Sequence, residues 1–146
     1  IDAAWEAGAG PKTLIHGDAH IGNLFLDGDR VGFLDWGMTK IGTPIRDLSF
    51  FLTMGLESAD RRRDERALIE HYLDVRRRLG GRPIAFEEAW QAHRIEAAYT
   101  VIASFLSLVP PYDTESRRLF TTNFRARAMA ALDDLDTVGA LRALVG

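Results

Sequence analysis

The sequence predicts a predominantly helical α+β domain, and three observations carry that reading. The compact strand signals sit in the first quarter, where two short apolar runs flank Asp27-Gly28-Asp29. Beyond Thr43, apolar residues recur at helical spacing, and glycine or proline marks the breaks between the recurring segments. The 146 residues, 47% hydrophobic and 27% charged, match ordinary globular composition and suffice for one domain with a sizeable core.

Taken in order, Asp2–Ala7 reads as the tail of a helix stopped by Gly8, Gly10 and Pro11. Thr13–Ile15 is a short strand feeding the polar loop His16–Asn23. Leu24–Leu26 and Val31–Leu34 form a β-hairpin, and Asp35-Trp36-Gly37 ends its second strand. No strand is expected after that. Thr43 is placed to cap a helix with Pro44 at its first position, and Leu48, Phe51 and Leu52 make its buried stripe. Ser58 is expected to cap the next helix, in which Leu68, Tyr72, Val75 and Leu79 recur at helical spacing until Gly80-Gly81 stops it. A third helix is expected from Phe86 to Leu108, halted by Pro110-Pro111. A fourth runs from Glu115 to Leu135, and a short fifth from Val138 to Val145. One small hairpin and four to five helices make a single domain over residues 1–146.

Bulk chemistry narrows the function. The net charge of −3 argues against a nucleic-acid footprint, which is usually basic. No apolar run reaches membrane-spanning length, so no membrane partner is expected. There is no cysteine, which excludes a disulfide framework or thiolate metal site and suits the cytoplasm. The first residues lack a basic start and a long apolar stretch, so no signal peptide is expected. The chain opens on Ile1 rather than methionine, as if it were cut from something longer.

The chemistry concentrates in H-G-D-A-H-I-G-N, His16–Asn23, and in Asp35-Trp36-Gly37. The hairpin joins these segments and brings its two ends together, so Asn23 and Asp35 are placed to share one cation. Mg²⁺ needs few protein oxygens beside water and phosphate oxygens. Asp18, crowded by His16, His20 and Asn23, is the candidate catalytic base. Taken alone it reads as a turn aspartate, but such polar crowding beside apolar runs is costly unless satisfied or functional. A base plus a metal-binding amide and carboxylate is the kit for phosphoryl transfer from a metal nucleotide.

A rival reading takes His16, Asp18 and His20 as H-x-D-x-H metal ligands of a phosphohydrolase. Against it, His71 and His93 fall in predicted helices without a compact ligand motif and read as surface or core histidines. Asp47, in the first turn of its helix, suits the helix N-terminus and equally suits an acid holding the catalytic loop's backbone. The arginine clusters at 61–63, 66 and 76–78 alternate with acids at spacings that allow pairs such as Arg61–Glu65 and Asp74–Arg78. They read as a solvated helix face. Trp90, Tyr99 and Phe105 read as core. Asp113, Glu115, Asp133, Asp134 and Asp136 suit a cationic acceptor or, more simply, solvent-facing caps.

H-G-D-A-H-I-G-N, the hairpin, Asp35-Trp36-Gly37 and G-T-P-I-R-D-L-S-F-F-L (Gly42–Leu52) together resemble the aminoglycoside phosphotransferase and choline kinase-like family, relatives of the protein kinases. The resemblance covers about the first third of the chain. It departs at Ala19-His20-Ile21, where the family commonly has Leu-His-Pro, and at Gly37, where it commonly has an acid or Gln. It implies the C-terminal lobe of a protein kinase-like fold. Asp18 would be the base, with His16 bracing the loop and His20 near the transferred phosphate. Asn23 and Asp35 would be the metal ligands, and Asp47 would anchor the loop from below. The implied cofactors are Mg²⁺ and ATP or GTP, and the implied substrate is a small-molecule hydroxyl. The family's N-terminal lobe, with its phosphate-covering loop and strand lysine, does not precede Ile1, and Lys12 lies too close to the catalytic strand to be that lysine. The missing lobe is therefore an expected partner, and the isolated chain is expected to be inactive. A non-catalytic binding module derived from this lobe and a metal-dependent phosphohydrolase stand as alternatives. The acceptor and the oligomeric state are not legible.

Overall fold

A computed structural model describes residues 10–106 and 114–145. The expected helix at Asp2–Ala7 and the stop at Pro110-Pro111 lie outside the described residues. Within them the chain is a predominantly helical α+β fold: four short strands, then five helices.

The strands form two separate two-stranded ribbons. Strands β2 (Leu24–Asp27) and β3 (Arg30–Phe33) pair as the expected hairpin, Leu24 opposite Phe33 and Asp27 opposite Arg30. Gly28 takes φ 61° at the first central position of the turn, a conformation glycine adopts without steric cost. The other ribbon corrects the expectation that strands end at the hairpin. Strand β4 (Lys40–Gly42) returns to pair antiparallel with β1 (Thr13–Ile15), Thr13 opposite Gly42 and Ile15 opposite Lys40. Three residues ending on glycine carry almost no pattern. What makes this strand is the backbone of β1, whose hydrogen-bonding groups need a partner.

Helix α1 (Pro44–Gly55) starts on proline at its first turn, as expected, and Thr43 precedes it in an extended conformation. It is the central helix. Ile45 and Leu52 pack with Ile69, Ile84 and Ala92 on one side, while Phe50 and Met54 pack with Phe124 and Ala128 on another. Its stripe is wider than Leu48, Phe51 and Leu52 suggest, because neighbours cover it on several faces. Leu48 and Phe51 are only half-buried. Truncating fully buried Leu52 to alanine would cost about 2–5 kcal/mol.

Helix α2 (Ser58–Arg78) has Glu57, not Ser58, at its cap position, and no side chain makes the cap bond. Its core residues are Ile69, Tyr72 and Leu73, while Leu79 is exposed and Leu68 partly so. The buried stripe is thus rotated from the expected one. Gly80, at φ 84°, ends the helix as expected. Helices α3 (Phe86–Leu106), α4 (Glu115–Asp134) and α5 (Thr137–Val145) complete the bundle. Ala97 and Ala131 let α3 and α4 approach closely, with Leu135 sealing the contact.

The arginine-rich helix is only partly a solvated face. Asp74 pairs with Arg77 and Arg78 at the surface, and Arg63 with Asp60 and Asp64. Arg61, by contrast, is 1% exposed and bridges Glu65 to Asp134 of α4. His93 on α3 joins that network, with Nδ1 2.9 Å from Ser49 Oγ and Nε2 3.4 Å from Glu65. His93 is therefore a core histidine, and His71 is a surface one. Asp134 stands at the surface end of this network, where it is the shared counterion of Arg61 and Arg62. Asp136 does cap, accepting the Gly139 N–H at 3.2 Å. Phe105 corrects another expectation: it is about half exposed, whereas Trp90 and Tyr99 pack into clusters.

Candidate active site

Strand β1 delivers Ile15 and His16 into the interior, and the chain then turns at Gly17. Gly17 has φ 83°, and a Cβ there would lie 2.2 Å from the Met38 carbonyl oxygen. Only glycine lets the His16–Asn23 loop lie against the turn that follows Asp35. Asp47, one turn into α1, fixes the loop from beneath. The His16 N–H donates to its Oδ2 at 2.6 Å and the Gly17 N–H to its Oδ1 at 3.0 Å. These are charge-assisted bonds to both carboxylate oxygens, the stronger class of hydrogen bond.

His16 ties the loop to the hairpin. Its Nε2 donates to the Leu34 carbonyl at 2.9 Å, and its Nδ1 accepts the Asp18 N–H at 3.3 Å. With both nitrogens committed, the tautomer is fixed and neither lone pair is free for a metal. The ring is buried against Phe33 and Trp36, centroids 5.2 and 4.7 Å away. Trp36 Nε1–H in turn donates to the Phe33 carbonyl at 3.1 Å.

Asp18 is half-buried, and its Oδ2 accepts from the Asn23 amide at 3.1 Å. The same amide nitrogen donates to the Asp18 carbonyl at 2.9 Å. Both amide hydrogens of Asn23 are thus directed at Asp18, and the amide oxygen is left to accept or to ligate. A single 3₁₀ turn, Ile21–Asn23, sets this position. His20 caps it, its Nδ1 accepting the Gly22 N–H at 3.0 Å. The other ring nitrogen of His20 lies 3.7 Å from Asp18 Oδ2, adjacent but beyond hydrogen-bond length. Burial holds the His20 pKa below its ordinary value of 6.5, with the His16 ring adding to the effect and Asp18 and Asp35 opposing it.

The Leu34 N–H donates to the Asn23 carbonyl at 2.9 Å, so Asn23 and Asp35 sit at the same open end of the hairpin. Asp35 itself is left-handed, at φ 59° and ψ 63°. A non-glycine residue there costs on the order of 1–3 kcal/mol and needs surrounding structure to hold it. The 3₁₀ turn Trp36–Met38, with Thr39 Oγ1 donating to the Trp36 carbonyl at 2.7 Å, supplies that hold. The Asp35 carboxylate makes no cap bond to this turn and faces solvent.

Two features escaped sequence reasoning. Glu96, on α3, is buried with neither carboxylate oxygen hydrogen-bonded among the described residues. Burial pushes its pKa up to about 7, with Arg46, Lys12 and Lys40 opposing and Asp47 contributing to the rise. The second feature is Phe120 and Phe124 of α4, which meet His20 edge-on. Their i, i+4 spacing was visible, but their target was not. An apolar face around Trp36 and the hairpin, by contrast, is what the absence of a nucleotide lobe before Ile1 leads one to expect, and the ribbons carry it. Leu14, Phe25, Leu26, Val31, Trp36, Met38 and Ile41 all project to solvent, Leu26 at 76% and Ile41 at 69% exposure.

Among the described residues no group of three or more His, Cys, Asp or Glu side chains is arranged to hold a metal ion. His16 and His20 point into different contacts, so the H-x-D-x-H pattern does not fold into a ligand set. No helix among them is long and apolar enough to cross a membrane.

No curated protein and no solved structure matches the chain. A family model described as "Phosphotransferase enzyme family" matches residues 1–83, more than half the sequence, and takes in the His16–Asn23 loop, the hairpin, the Asp35 turn and α1. The chain belongs to this APH phosphotransferase family.

Proposed function

We propose that this chain is the catalytic and acceptor-binding lobe of a small-molecule O-phosphotransferase that uses Mg²⁺ and ATP or GTP. The observation that carries the reading is the Asp18–Asn23 pair, locked by Asp47 and facing the same hairpin end as Asp35. The donor set fits Mg²⁺: one amide oxygen and one carboxylate, both hard ligands, leaving positions for water and phosphate oxygens. Asn23 and Asp35 would hold the ion, which when bound neutralises charge on the transferring phosphate. Asp18 accepts the proton of the acceptor hydroxyl as its oxygen bonds to the γ-phosphorus and the bond to the nucleoside diphosphate breaks. His16 and Asp47 act on position alone, holding Asp18 still. Neutral His20 shapes the acceptor side without adding charge.

The apolar ribbon face supports a second element of the reading. Its exposed residues exceed the scattered apolar side chains of an ordinary monomer surface and suit packing against a nucleotide-binding lobe. The absence of cysteine fits action in the cytoplasm.

The test is the Mg²⁺ dependence of γ-phosphate transfer by the protein carrying this lobe together with a nucleotide lobe. Asp35→Ala should abolish transfer at any Mg²⁺ concentration. Unchanged turnover in that variant would remove Asp35 from the metal site. Tight Zn²⁺ or Mg²⁺ binding by the 146-residue chain without nucleotide would favour the phosphohydrolase instead.

A further inference from the structure

One buried acid has no part in the chemistry described so far. Glu96, midway along α3, is 3% exposed, and neither of its carboxylate oxygens accepts a hydrogen bond among the described residues. A buried carboxyl in that state is costly and calls for a physical reason.

Its position supplies one. Helices α1 and α3 run past each other in opposite directions. Ser49 Oγ of α1 meets His93 Nδ1 of α3 at 2.9 Å, and one turn earlier on α1 the Arg46 guanidinium lies over the Tyr99 ring at 4.0 Å. Glu96 stands three residues from both His93 and Tyr99, on the helix face between those contacts. It therefore looks onto the turn of α1 that carries Arg46 and Asp47. The charges that act on it come from Arg46 and Asp47, from Lys40 of β4 and from Lys12 just before β1. These groups frame the root of the His16–Asn23 loop. Lys40 is paired opposite Ile15, the residue before His16. Asp47 accepts the N–H groups of His16 and Gly17. Charges on the other helices packed against α3 are engaged elsewhere: Glu65 and Asp134 with Arg61, and Arg127 with Glu57. On α3 itself, Arg94 donates to the Leu135 carbonyl.

Burial is the main reason that the Glu96 carboxyl is pushed up to about 7, against the pull of Arg46, Lys12 and Lys40, and the Asp47 charge adds to the rise. Such coupling is reciprocal: if the Asp47 charge favours the proton on Glu96, the ionised Glu96 disfavours the Asp47 carboxylate by the same amount. Protonated Glu96 leaves the cations to face Asp47. Ionised Glu96 draws the same cations and repels Asp47, which weakens its two bonds to the loop backbone.

We propose that Glu96 is a positioning residue for the His16–Asn23 loop, acting through Asp47, and that the loop is held most firmly when Glu96 carries its proton and loosens when the proton leaves. This deepens the phosphotransferase reading and rests on it only for what the loop positions, the base Asp18.

The experiment is NMR of the 146-residue chain from about pH 5 to about pH 9, following the Glu96 side-chain carboxyl carbon and the Gly17 amide proton. In the wild type the Glu96 carboxyl should titrate near neutrality, and the Gly17 amide proton should move upfield with the same midpoint as its bond to Asp47 weakens. In Glu96→Gln that step should be absent. The loop histidines are common to both proteins, so the difference between the two curves isolates Glu96. Lys40→Met removes a cation that opposes the rise and should carry both midpoints upward together. Unchanged Ile69 and Ala131 methyl signals would show that the fold survives each variant, and the coincidence of the two wild-type midpoints is a test that needs no variant. A Glu96 with a merely structural role would change stability and leave the Gly17 curve alone. A Gly17 curve identical in wild type and Glu96→Gln, a Glu96 carboxyl titrating in the ordinary carboxylate range, or a Lys40→Met variant that moves one midpoint without the other would each overturn the proposal. Neither nucleotide nor acceptor enters the measurement. A failure of phosphate transfer in the two-lobe protein would therefore count against the phosphotransferase reading and leave this coupling standing on its own.

Discussion

Replacing Glu96 with glutamine keeps the size of the side chain and removes its charge, which isolates one buried titration. In the fold the carboxyl is pushed up to about 7 from an ordinary value of 4.5, because burial outweighs the attraction of Arg46, Lys12 and Lys40. For an acid with a raised folded pKa, the folded state holds the proton more tightly than the unfolded chain. Its contribution to stability is full below about 4.5 and is lost as pH climbs towards and through 7. Linkage puts the cost of the native glutamate at about 1 kcal/mol at pH 5 and about 3 kcal/mol at pH 8. Glutamine has no such dependence, and every other titrating group is common to both proteins. The stability difference between Glu96→Gln and wild type should therefore move in the variant's favour by ~2 kcal/mol between pH 5 and pH 8. Urea unfolding of the two proteins at both pH values measures it. A difference that stays constant across that range would show that Glu96 ionises freely in the fold and that its burial has been misread.

Three further outcomes follow from the same geometry. Asp47→Ala removes two charge-assisted bonds to the loop backbone and should cost about 3 kcal/mol in urea unfolding; in the two-lobe protein it should also lower kcat. Arg61→Ala leaves Glu65 and Asp134 without their shared cation and should cost about 3–5 kcal/mol, read by thermal unfolding; a change under about 1 kcal/mol would mean the pair is solvated after all. In the two-lobe protein, Asp18→Asn should lower kcat by about a hundredfold or more with nucleotide affinity intact, because the base acts on the acceptor. Normal turnover in that variant would remove Asp18 from the chemistry.

The parts of the fold that were legible are those set by local chemistry. Asp27-Gly28-Asp29 specifies its turn, Pro44 starts α1, Gly80 ends α2, and the motif residues fall where one loop and one hairpin end hold them. Pairs made at long range were not legible. Strand β4 exists because β1 needs a partner, and Lys40-Ile41-Gly42 has no pattern that announces it. Arg61 looks like its exposed neighbours Arg62 and Arg63, and only the approach of Asp134 from α4 makes it internal. Phe105 is aromatic like the core residues, yet it stays 47% exposed. In the site, Asp47 was readable as a loop anchor because it stands in the first turn of its helix, within the Gly42–Leu52 stretch that carries the family resemblance. The aromatic wall about His20 comes from a helix a hundred residues away and depends on packing that no local rule sets.

The measurement that bears most directly on the central claim is ³¹P NMR of ATP incubated with Mg²⁺, the two-lobe protein and a panel of small alcohols. A phosphate-monoester signal should grow as the γ-phosphate signal falls, should need Mg²⁺, and should vanish with Asp18→Asn. Release of inorganic phosphate from an added phosphomonoester without any nucleotide, or an ATP signal unchanged with every alcohol, would contradict the assignment of this loop to phosphoryl transfer.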